Sequence, residues 1–186
     1  MILAFCGLSG SGKSYLAAHI AAHTGLPHLR SDVIRKELAG IAPDASSRST
    51  LGSGIYTNDL TQETYTTLIA RACALPNAII DATFSRRAWR EQLYRSGIPY
   101  LLIHCWAPEA VCLTRITARL AQGNDPSEAT PAVYFAQRLT WEGFTDDESF
   151  FAVDTTQPQS QLTQSILLHS TDSWDSLFHS LKKFFP

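Results

Sequence analysis

The residues at positions 7–14, Gly-Leu-Ser-Gly-Ser-Gly-Lys-Ser, constrain this chain more than any other segment. They match the pattern G-x-x-x-x-G-K-[ST] at every fixed position, between an apolar run at residues 2–6 and a helical pattern that begins at Lys13. A backbone that turns its amides toward an anion needs glycine, because such turns use dihedral angles and close approaches that a Cβ obstructs. The following helix directs its positive N-terminal end at the same point. The motif therefore predicts a loop that binds the phosphates of a nucleotide through Gly7, Ser9, Gly10, Ser11, Gly12, Lys13, Ser14 and Tyr15.

Short apolar runs alternate with helical stretches along the rest of the chain, which is typical of a parallel sheet with helices on both faces. We predict strands at residues 2–6, 27–30, 77–81, 99–106 and 150–154, and helices at residues 13–24, 32–39, 61–75, 85–95, 108–121, 132–141 and 173–185. The expected architecture is one α/β domain over residues 1–186, a three-layer P-loop NTPase or kinase fold with about five strands. Residues 41–57, rich in Ser, Gly and Thr, are predicted to be a mobile loop on the substrate side, and residues 115–140 a helical lid.

The composition of the 186 residues limits the classes of function. Hydrophobic residues make up 45% and charged residues 17%, which supports a packed core and excludes wholesale disorder. The formal net charge of −2 provides no general attraction for nucleic acid or anionic membranes. No apolar run approaches the roughly 18–20 residues that span a bilayer, and the N-terminus lacks the basic start of a signal peptide. We therefore expect a cytoplasmic protein without membrane attachment.

The four cysteines, Cys6, Cys73, Cys105 and Cys112, do not have the spacing of a metal site and lie among apolar neighbours. They are predicted to be buried free thiols, as is usual in a reducing compartment.

Two further features, a missing guanine motif and the residues after the second predicted strand, favour phosphoryl transfer over the other uses of a phosphate-binding loop. The chain lacks the N-K-x-D type of guanine motif that a switch GTPase carries. Asp32 follows the predicted second strand, where its carboxylate would face the γ-phosphate and could orient or deprotonate an acceptor hydroxyl. Arg35, one helical turn later, is a candidate for holding an anionic group of the acceptor. The alternative for Asp32 is a structural role as the N-cap of the helix that it begins.

Asp81 ends the predicted third strand, in the place expected for a carboxylate that acts on Mg²⁺ through water, with Ser14 as the other metal-binding residue. Asp81 and Thr83, two residues on, are also predicted to contribute to the acceptor pocket. The alternative for Asp81 is an unrelated carboxylate at a strand end.

Arg115 and Arg119 share one helix face next to a segment rich in Pro and Gly, which favours a lid that closes over the phosphates; the alternative is a solvated basic stripe. A second basic run contains Arg86, Arg87, Arg90 and Arg95. We interpret it as a solvated helix face rather than a contact with nucleic acid.

Four segments together resemble the AAA_33-type P-loop kinases: residues 7–14, Arg-Ser-Asp-Val-Ile-Arg-Lys-Glu-Leu at 30–38, Ile-Ile-Asp-Ala-Thr-Phe at 79–84 and Asp-Pro-Ser-Glu-Ala-Thr at 125–130. These kinases are similar in plan to the kinase domains of polynucleotide 5′-kinases and, more distantly, to gluconate kinases and zeta toxins. The resemblance covers roughly residues 1–154. It implies that Asp32 activates the acceptor hydroxyl, that Arg35 contacts the acceptor, and that Arg119 is the lid arginine with Arg115 one turn before it.

The expected function is ATP-dependent transfer of a phosphoryl group to a hydroxyl, with ATP and Mg²⁺ as cofactors and with Lys13, Asp32 and Arg119 as catalytic residues. The adenine is expected near residues 154–158. The net charge favours a small-molecule acceptor over the 5′-hydroxyl of a nucleic acid, which is the alternative acceptor. A different class of function is a regulatory module that binds ATP and hydrolyses it slowly, and a toxin acting on a sugar nucleotide is a further alternative. No obligate protein partner is expected.

Overall fold

The five predicted strands form one parallel sheet in the order β2-β3-β1-β4-β5. The computed structural model describes residues 1–43, 45, 47, 49, 54–123 and 125–169. Its strands are β1 (Ile2–Cys6), β2 (His28–Arg30), β3 (Ala78–Asp81), β4 (Tyr100–Trp106) and β5 (Phe151–Asp154). The helices are α1 (Lys13–Thr24), α2 (Ser31–Leu38), α3 (Asn58–Cys73), α4 (Arg87–Arg95), α5 (Glu109–Gln122), α6 (Pro131–Leu139) and α7 (Gln159–His169), with a 3₁₀ turn at Gly54–Tyr56. The predicted α/β architecture is confirmed.

The register of the sheet brings the ends of the central strands to one edge. Phe5 of β1 pairs with Asp81 of β3, which in turn pairs with Arg30 of β2, while Cys6 pairs with His104 of β4. In open parallel sheets, ligands bind at the carboxyl ends of the strands. The loops that leave β1, β2 and β3 therefore start next to one another.

Helices cover both faces of the sheet. One face packs against α1 and α7, with Phe5, Leu16, Ile20 and Ile166 among the buried side chains. The other packs against α2, α3 and α4 through a second cluster that includes Ile34, Leu68, Ile80 and Leu93. This burial on both sides explains why the strands are continuous apolar runs rather than alternating ones.

The observed helices differ from the predicted ones mainly at their ends. Helix α3 begins at Asn58, three residues before the predicted start, because the side chain of Thr57 accepts a hydrogen bond from the amide of Leu60 and caps the helix. Helix α6 begins at Pro131, where the predicted breaker occupies the first turn and Thr130 is the cap. Helix α7 was not predicted. The predicted helix at 173–185 lies outside the described residues.

The interpretation of residues 86–95 as a solvated face is wrong for Arg90. Its side chain is only 3% exposed, and its guanidinium donates to both carboxylate oxygens of Glu148 and to the carbonyl oxygens of Phe84, Glu142 and Gly143. Arg90 therefore ties the segment after α6 to α4. Arg87 and Arg95 remain exposed and pair with Asp147 and Glu91.

All four cysteines are free, and Cys6, Cys105 and Cys112 are buried while Cys73 is half-buried. Among the described residues, no helix has both the length and the apolar character that crossing a membrane requires.

Candidate active site

The glycine-rich loop joins β1 to α1 and forms a cradle for an anion. Gly10 and Gly12 have φ angles of +77° and +88°, in the left-handed region that favours glycine. A Cβ at Gly10 would overlap the carbonyl oxygen of Cys112, and one at Gly12 would lie 2.9 Å from Oγ1 of Thr155. No side chain caps the N-terminus of α1, so the amides of its first turn keep their capacity to bind an anion. This geometry fits the phosphates of a nucleotide.

Arg115 and Thr155 brace this loop from the other side. The guanidinium of Arg115 donates to Oγ1 and to the carbonyl oxygen of Thr155, at 2.9 and 2.8 Å, and to the carbonyl oxygen of Gly10 at 3.3 Å. The hydroxyl of Thr155 donates to the carbonyl oxygen of Ser11 at 2.6 Å. The loop is thereby fixed to α5 and to the connection between β5 and α7. Arg115 is therefore not part of a solvated basic stripe, which was the alternative for it.

A cavity of about 730 Å³ opens above the loop, which is within the range of cavities that hold small ligands. The predicted nucleotide-binding residues that line it are Gly10, Gly12, Lys13, Ser14, Tyr15, Arg115 and Arg119. Gly7, Ser9 and Ser11 belong to the loop but do not line this cavity. Thr155, Thr156 and Gln157 line one end of it, in the segment where the adenine is expected.

Ser14 and Asp81 are the residues with the chemistry for a magnesium site. Asp81 is 3% exposed; burial alone would raise the pKa of its carboxyl, but the side chain of His28, the charge of Lys13 and the Ser14 hydroxyl together lower it. Among the residues that the structure describes, its Oδ2 atom has no hydrogen-bond partner; His28 Nε2 lies at 3.5 Å and Arg30 Nε at 3.7 Å. The described residues contain no group of three or more His, Cys, Asp or Glu side chains arranged for a metal. An ionised carboxylate beside a serine hydroxyl suits Mg²⁺, which takes few protein ligands and keeps water and phosphate oxygens.

Asp32 lies in the first turn of α2, next to the end of β2. The N-cap of α2 is Arg30 and no side chain caps it, so Asp32 does not have the capping role that was its alternative. Within the described part of the chain, its half-buried carboxylate has no hydrogen bond or ion pair. An uncommitted carboxylate at this edge of the sheet is available to a ligand.

Arg35 is buried one turn later and faces the 3₁₀ turn. Its Nη1 atom donates to the carbonyl oxygen of Ile55 and to Oγ1 of Thr61, at 3.0 and 2.9 Å, while its Nε atom has no partner. The guanidinium carbon lies 5.3 Å from the centre of the Tyr56 ring. Arg35 is thus held in place and still has donor capacity.

Tyr56 is a site residue that sequence reasoning missed. Burial, followed by the negative charges of Asp32 and Glu128, raises the pKa of its hydroxyl to about 12, against the opposing charges of Arg35 and Arg119. The hydroxyl is therefore protonated and able to donate a hydrogen bond near Asp32. The sequence did contain one signal for Tyr56: it is an aromatic residue directly before Thr57, the N-cap of α3, in a segment (41–57) that otherwise has no clear pattern.

Arg119 and Thr83 have different places in the site. Arg119 lines the cavity, donates from Nη2 to the carbonyl oxygen of Ala129 at 3.3 Å, and has a buried Nε atom without a partner among the described residues. Thr83 accepts a hydrogen bond from the amide of Gly7 through its carbonyl oxygen, so its backbone supports the phosphate loop. The next residue, Phe84, has a φ of +49°, an unusual value for a bulky side chain, and Tyr65 and Arg90 fix it by hydrogen bonds to its amide and carbonyl.

Comparison with known proteins agrees with the α/β fold described above. Residues 2–143 match the AAA_33 family model, described as an AAA domain. A sugar kinase from Janibacter sp. HTCC2649 is 26% identical with a TM-score of 0.66, and the alignment covers 90% of this chain and 92% of that one. A comparison with curated proteins gives no match.

Two more distant structures show the fold alone. A gluconokinase from Sinorhizobium meliloti 1021 is 20% identical with a TM-score of 0.63, covering 98% of this chain and 91% of that one. A shikimate kinase from Aquifex aeolicus vf5 is 14% identical with a TM-score of 0.60, covering 95% and 99%. The parallel sheet described above is thus a kinase-like P-loop fold. Because the AAA_33 family model matches residues 2–143, which is well over half of the 186 residues, the chain belongs to the AAA_33 family.

Proposed function

We propose that this protein is an ATP-dependent phosphotransferase that moves the γ-phosphoryl group to a hydroxyl of a small molecule. The observation that carries the proposal is the free carboxylate of Asp32 at the same sheet edge as the uncapped N-terminus of α1. A loop for phosphates is common to many nucleotide-binding proteins, whereas a carboxylate available beside it supplies what transfer to a hydroxyl needs.

The phosphate end of the site binds and orients the nucleotide. The amides of the glycine-rich loop and the first turn of α1 bind phosphate oxygens, and Lys13 adds a positive charge. Ser14 and Asp81 would hold Mg²⁺, which when bound neutralises charge on the phosphate oxygens. Arg119, whose Nε donor is unused, is available to the transferring group from the lid side.

The acceptor end positions a hydroxyl for attack on the γ-phosphorus. Asp32 accepts the hydroxyl proton as the new oxygen–phosphorus bond forms and the bond to the bridging oxygen breaks, which releases ADP. Tyr56 donates a hydrogen bond, and the unused Nε atom of Arg35 suits an anionic or polar substituent of the acceptor. The net charge of −2 and the sugar kinase among the similar structures support a small acceptor over a polymer end.

The test is an ATP-consumption screen over sugars, sugar acids, nucleosides, aminoglycosides and 5′-hydroxyl oligonucleotides, repeated with two variants. We expect Asp32→Asn to lower kcat by a factor of about 10²–10⁴ and to leave ATP affinity unchanged, because Asp32 touches the acceptor only. Lys13→Ala should lower turnover by a similar factor and weaken ATP binding as well.

Asp59→Asn is the matched control, since Asp59 occupies the first turn of α3 and is exposed. Normal turnover of Asp32→Asn would remove the catalytic role of Asp32. ATP binding without acceleration by any hydroxyl compound would favour the regulatory module instead.

A further inference from the structure

The segment 125–130, whose sequence Asp-Pro-Ser-Glu-Ala-Thr was noted above, is attached at two points to the acceptor side of the molecule. At the first point, Oδ1 of Asp125 accepts hydrogen bonds from Nη2 of Arg30 at 3.0 Å and from the amide of Ser127 at 2.8 Å. The Nε atom of the same Arg30 lies 3.7 Å from Asp81. The segment is therefore anchored beside the end of β2.

At the second point, the carboxylate of Glu128 receives three donors. Ser47 donates from its amide to Oε1 at 2.7 Å and from its hydroxyl to Oε2 at 2.6 Å, and Nζ of Lys36 lies 3.0 Å from Oε1. We call Lys36, Ser47 and Glu128 the clasp. It joins α2, the loop after α2 and the segment before α6.

Lys36 makes the clasp more than a surface ion pair. Its side chain is 2% exposed, and its ammonium group also donates to the carbonyl oxygens of Pro43 and Ala45, at 3.0 and 2.8 Å. A buried ammonium needs partners, and these three oxygens supply them. Pro43 and Ala45, in the loop after α2, thus contact Lys36 from one side, and Glu128 supplies the third oxygen.

The segment that carries Glu128 reaches the cavity above the phosphate loop, because Arg30 and Asp125 of the first attachment point both line that cavity. Beside it, the charges of Asp32 and Glu128 raise the pKa of the Tyr56 hydroxyl, and those of Arg35 and Arg119 lower it. Burial would raise the pKa of the Glu128 carboxyl, but the hydrogen bonds from Ser47 and the charge of Lys36 lower it. Glu128 therefore stays ionised across the neutral range and keeps its attraction for Lys36.

We propose that Glu128 is a positioning residue that joins the loop after α2 and the lid segment into one roof over the acceptor, and so keeps water away from the group being transferred. This inference rests on the proposed function. A γ-phosphoryl group held beside a free carboxylate is open to attack by water as well as by the acceptor hydroxyl. With the clasp closed, the acceptor oxygen is the nucleophile next to Asp32; with the clasp open, water reaches the same position.

The experiment compares the full-length protein with Glu128→Ala and Glu128→Gln, in two measurements. The first is amide hydrogen exchange, which reports opening of the loop whether or not an acceptor is known. We expect Glu128→Ala to speed exchange about tenfold at the amides of Ala45, Ser47 and Ser49 while the amides of β1 and β3 keep their protection. Glu128→Gln keeps the size of the side chain and one acceptor oxygen but removes the charge and replaces the other oxygen by an NH2 group, so its effect should be intermediate.

The second measurement is the ratio of ATP hydrolysis to phosphoryl transfer with the best acceptor from the screen. Glu128→Ala should raise that ratio about tenfold or more and raise the KM for the acceptor, with ATP affinity unchanged within about threefold. Glu91→Gln is the matched control, because Glu91 forms an exposed ion pair with Arg95 on α4; it should change neither measurement.

Unchanged exchange in Glu128→Ala would overturn the inference, and so would faster exchange spread through the whole sheet, which would indicate a general loss of stability. Local opening with an unchanged ratio of hydrolysis to transfer would overturn the role in excluding water. If the wild-type protein phosphorylates no acceptor, the proposed function fails on its own. The exchange result then still decides whether the clasp closes the roof: local opening supports it and no change overturns it.

Discussion

Replacing Gly12 by alanine tests whether the glycine-rich loop is built for a nucleotide. Gly12 is the last residue before α1 and has a φ of +88° and a ψ of 0°. An added Cβ would lie 2.9 Å from Oγ1 and 3.0 Å from Cβ of Thr155, and 3.2 Å from Nη1 of Arg115. The substitution therefore strains the backbone and pushes against the two side chains that brace the loop.

The magnitude follows from these two costs. A residue with a Cβ in the left-handed region costs about 1–2 kcal/mol. Displacing Thr155 weakens its 2.6 Å hydrogen bond to Ser11 and the 2.9 Å bond that it receives from Arg115, and one such bond contributes about 0.5–1.5 kcal/mol. The sum is about 2–5 kcal/mol. If the alanine variant relaxes to an unstrained loop conformation, ATP binding has to reverse that change, and the cost appears as lost affinity, about 30- to 5,000-fold in Kd for ATP.

Calorimetric titration of ATP with magnesium measures this loss, and Gly25→Ala is the matched control at the other end of α1. Gly25 also has a positive φ of +70°, but a Cβ there would meet no atom within 4 Å. Gly25→Ala should lower the free energy of unfolding by about 1 kcal/mol and leave ATP binding unchanged. ATP affinity of Gly12→Ala within about threefold of wild type would refute the assignment of the loop as the phosphate cradle.

Two stability predictions concern the segment around Arg90. Arg90→Met leaves Glu148 without its buried partner, so the free energy of unfolding in urea should fall by about 3–5 kcal/mol, and a loss under about 1 kcal/mol would contradict the structural role of the pair. Burial, followed by the charge of Arg90, lowers the pKa of His104 from 6.5 to about 4. Below about pH 6.5 the folded state therefore binds fewer protons than the unfolded state, so the contribution of His104 to stability is complete above that pH and declines toward about pH 4. Because the ring is partly accessible to solvent, the free energy of unfolding should fall by about 1–2 kcal/mol over this range. His104→Phe should remove this part of the pH dependence in urea unfolding, and equal slopes for both proteins would show that His104 does not cause it.

The parts of the site that the sequence predicts are those whose signals are local. The bounds of β1 and α1 match the prediction because an apolar run, a glycine loop and a helix end at Gly25 follow one another without interruption. Asp81 is the last residue of β3 and Asp32 lies two residues after the end of β2, and the topology of a parallel sheet carries both to one edge. Their positions follow from strand order alone.

The parts that the sequence does not predict depend on pairs distant in the chain. Ser47 and Glu128 are 81 residues apart, and Arg90 and Glu148 are 58 apart. Lysine and arginine side chains are rarely buried, so Lys36 and Arg90 are expected to be exposed as long as their partner carboxylates are not known. Helix α7 was missed for a different reason: its first residues, Gln-Ser-Gln-Leu-Thr-Gln, have no clear apolar period.

Under the proposed function, the residues with local sequence signals are those that carry the chemistry, and the residues whose contacts are distant in the chain are those that select the acceptor. Asp32 and Asp81 lie at the ends of the neighbouring strands β2 and β3, and the phosphate cradle follows β1 and is braced by Arg115 and Thr155. Tyr56 and the clasp lie on segments whose path depends on a few polar contacts, among them the three donors to Glu128. Under the proposed function, we expect substitutions at Tyr56 and in the clasp to change which hydroxyl compounds are phosphorylated, and substitutions of Asp32 or Asp81 to lower the rate with every acceptor. An acceptor is for that reason best sought with variants of Tyr56 and the clasp that keep Asp32 and Asp81.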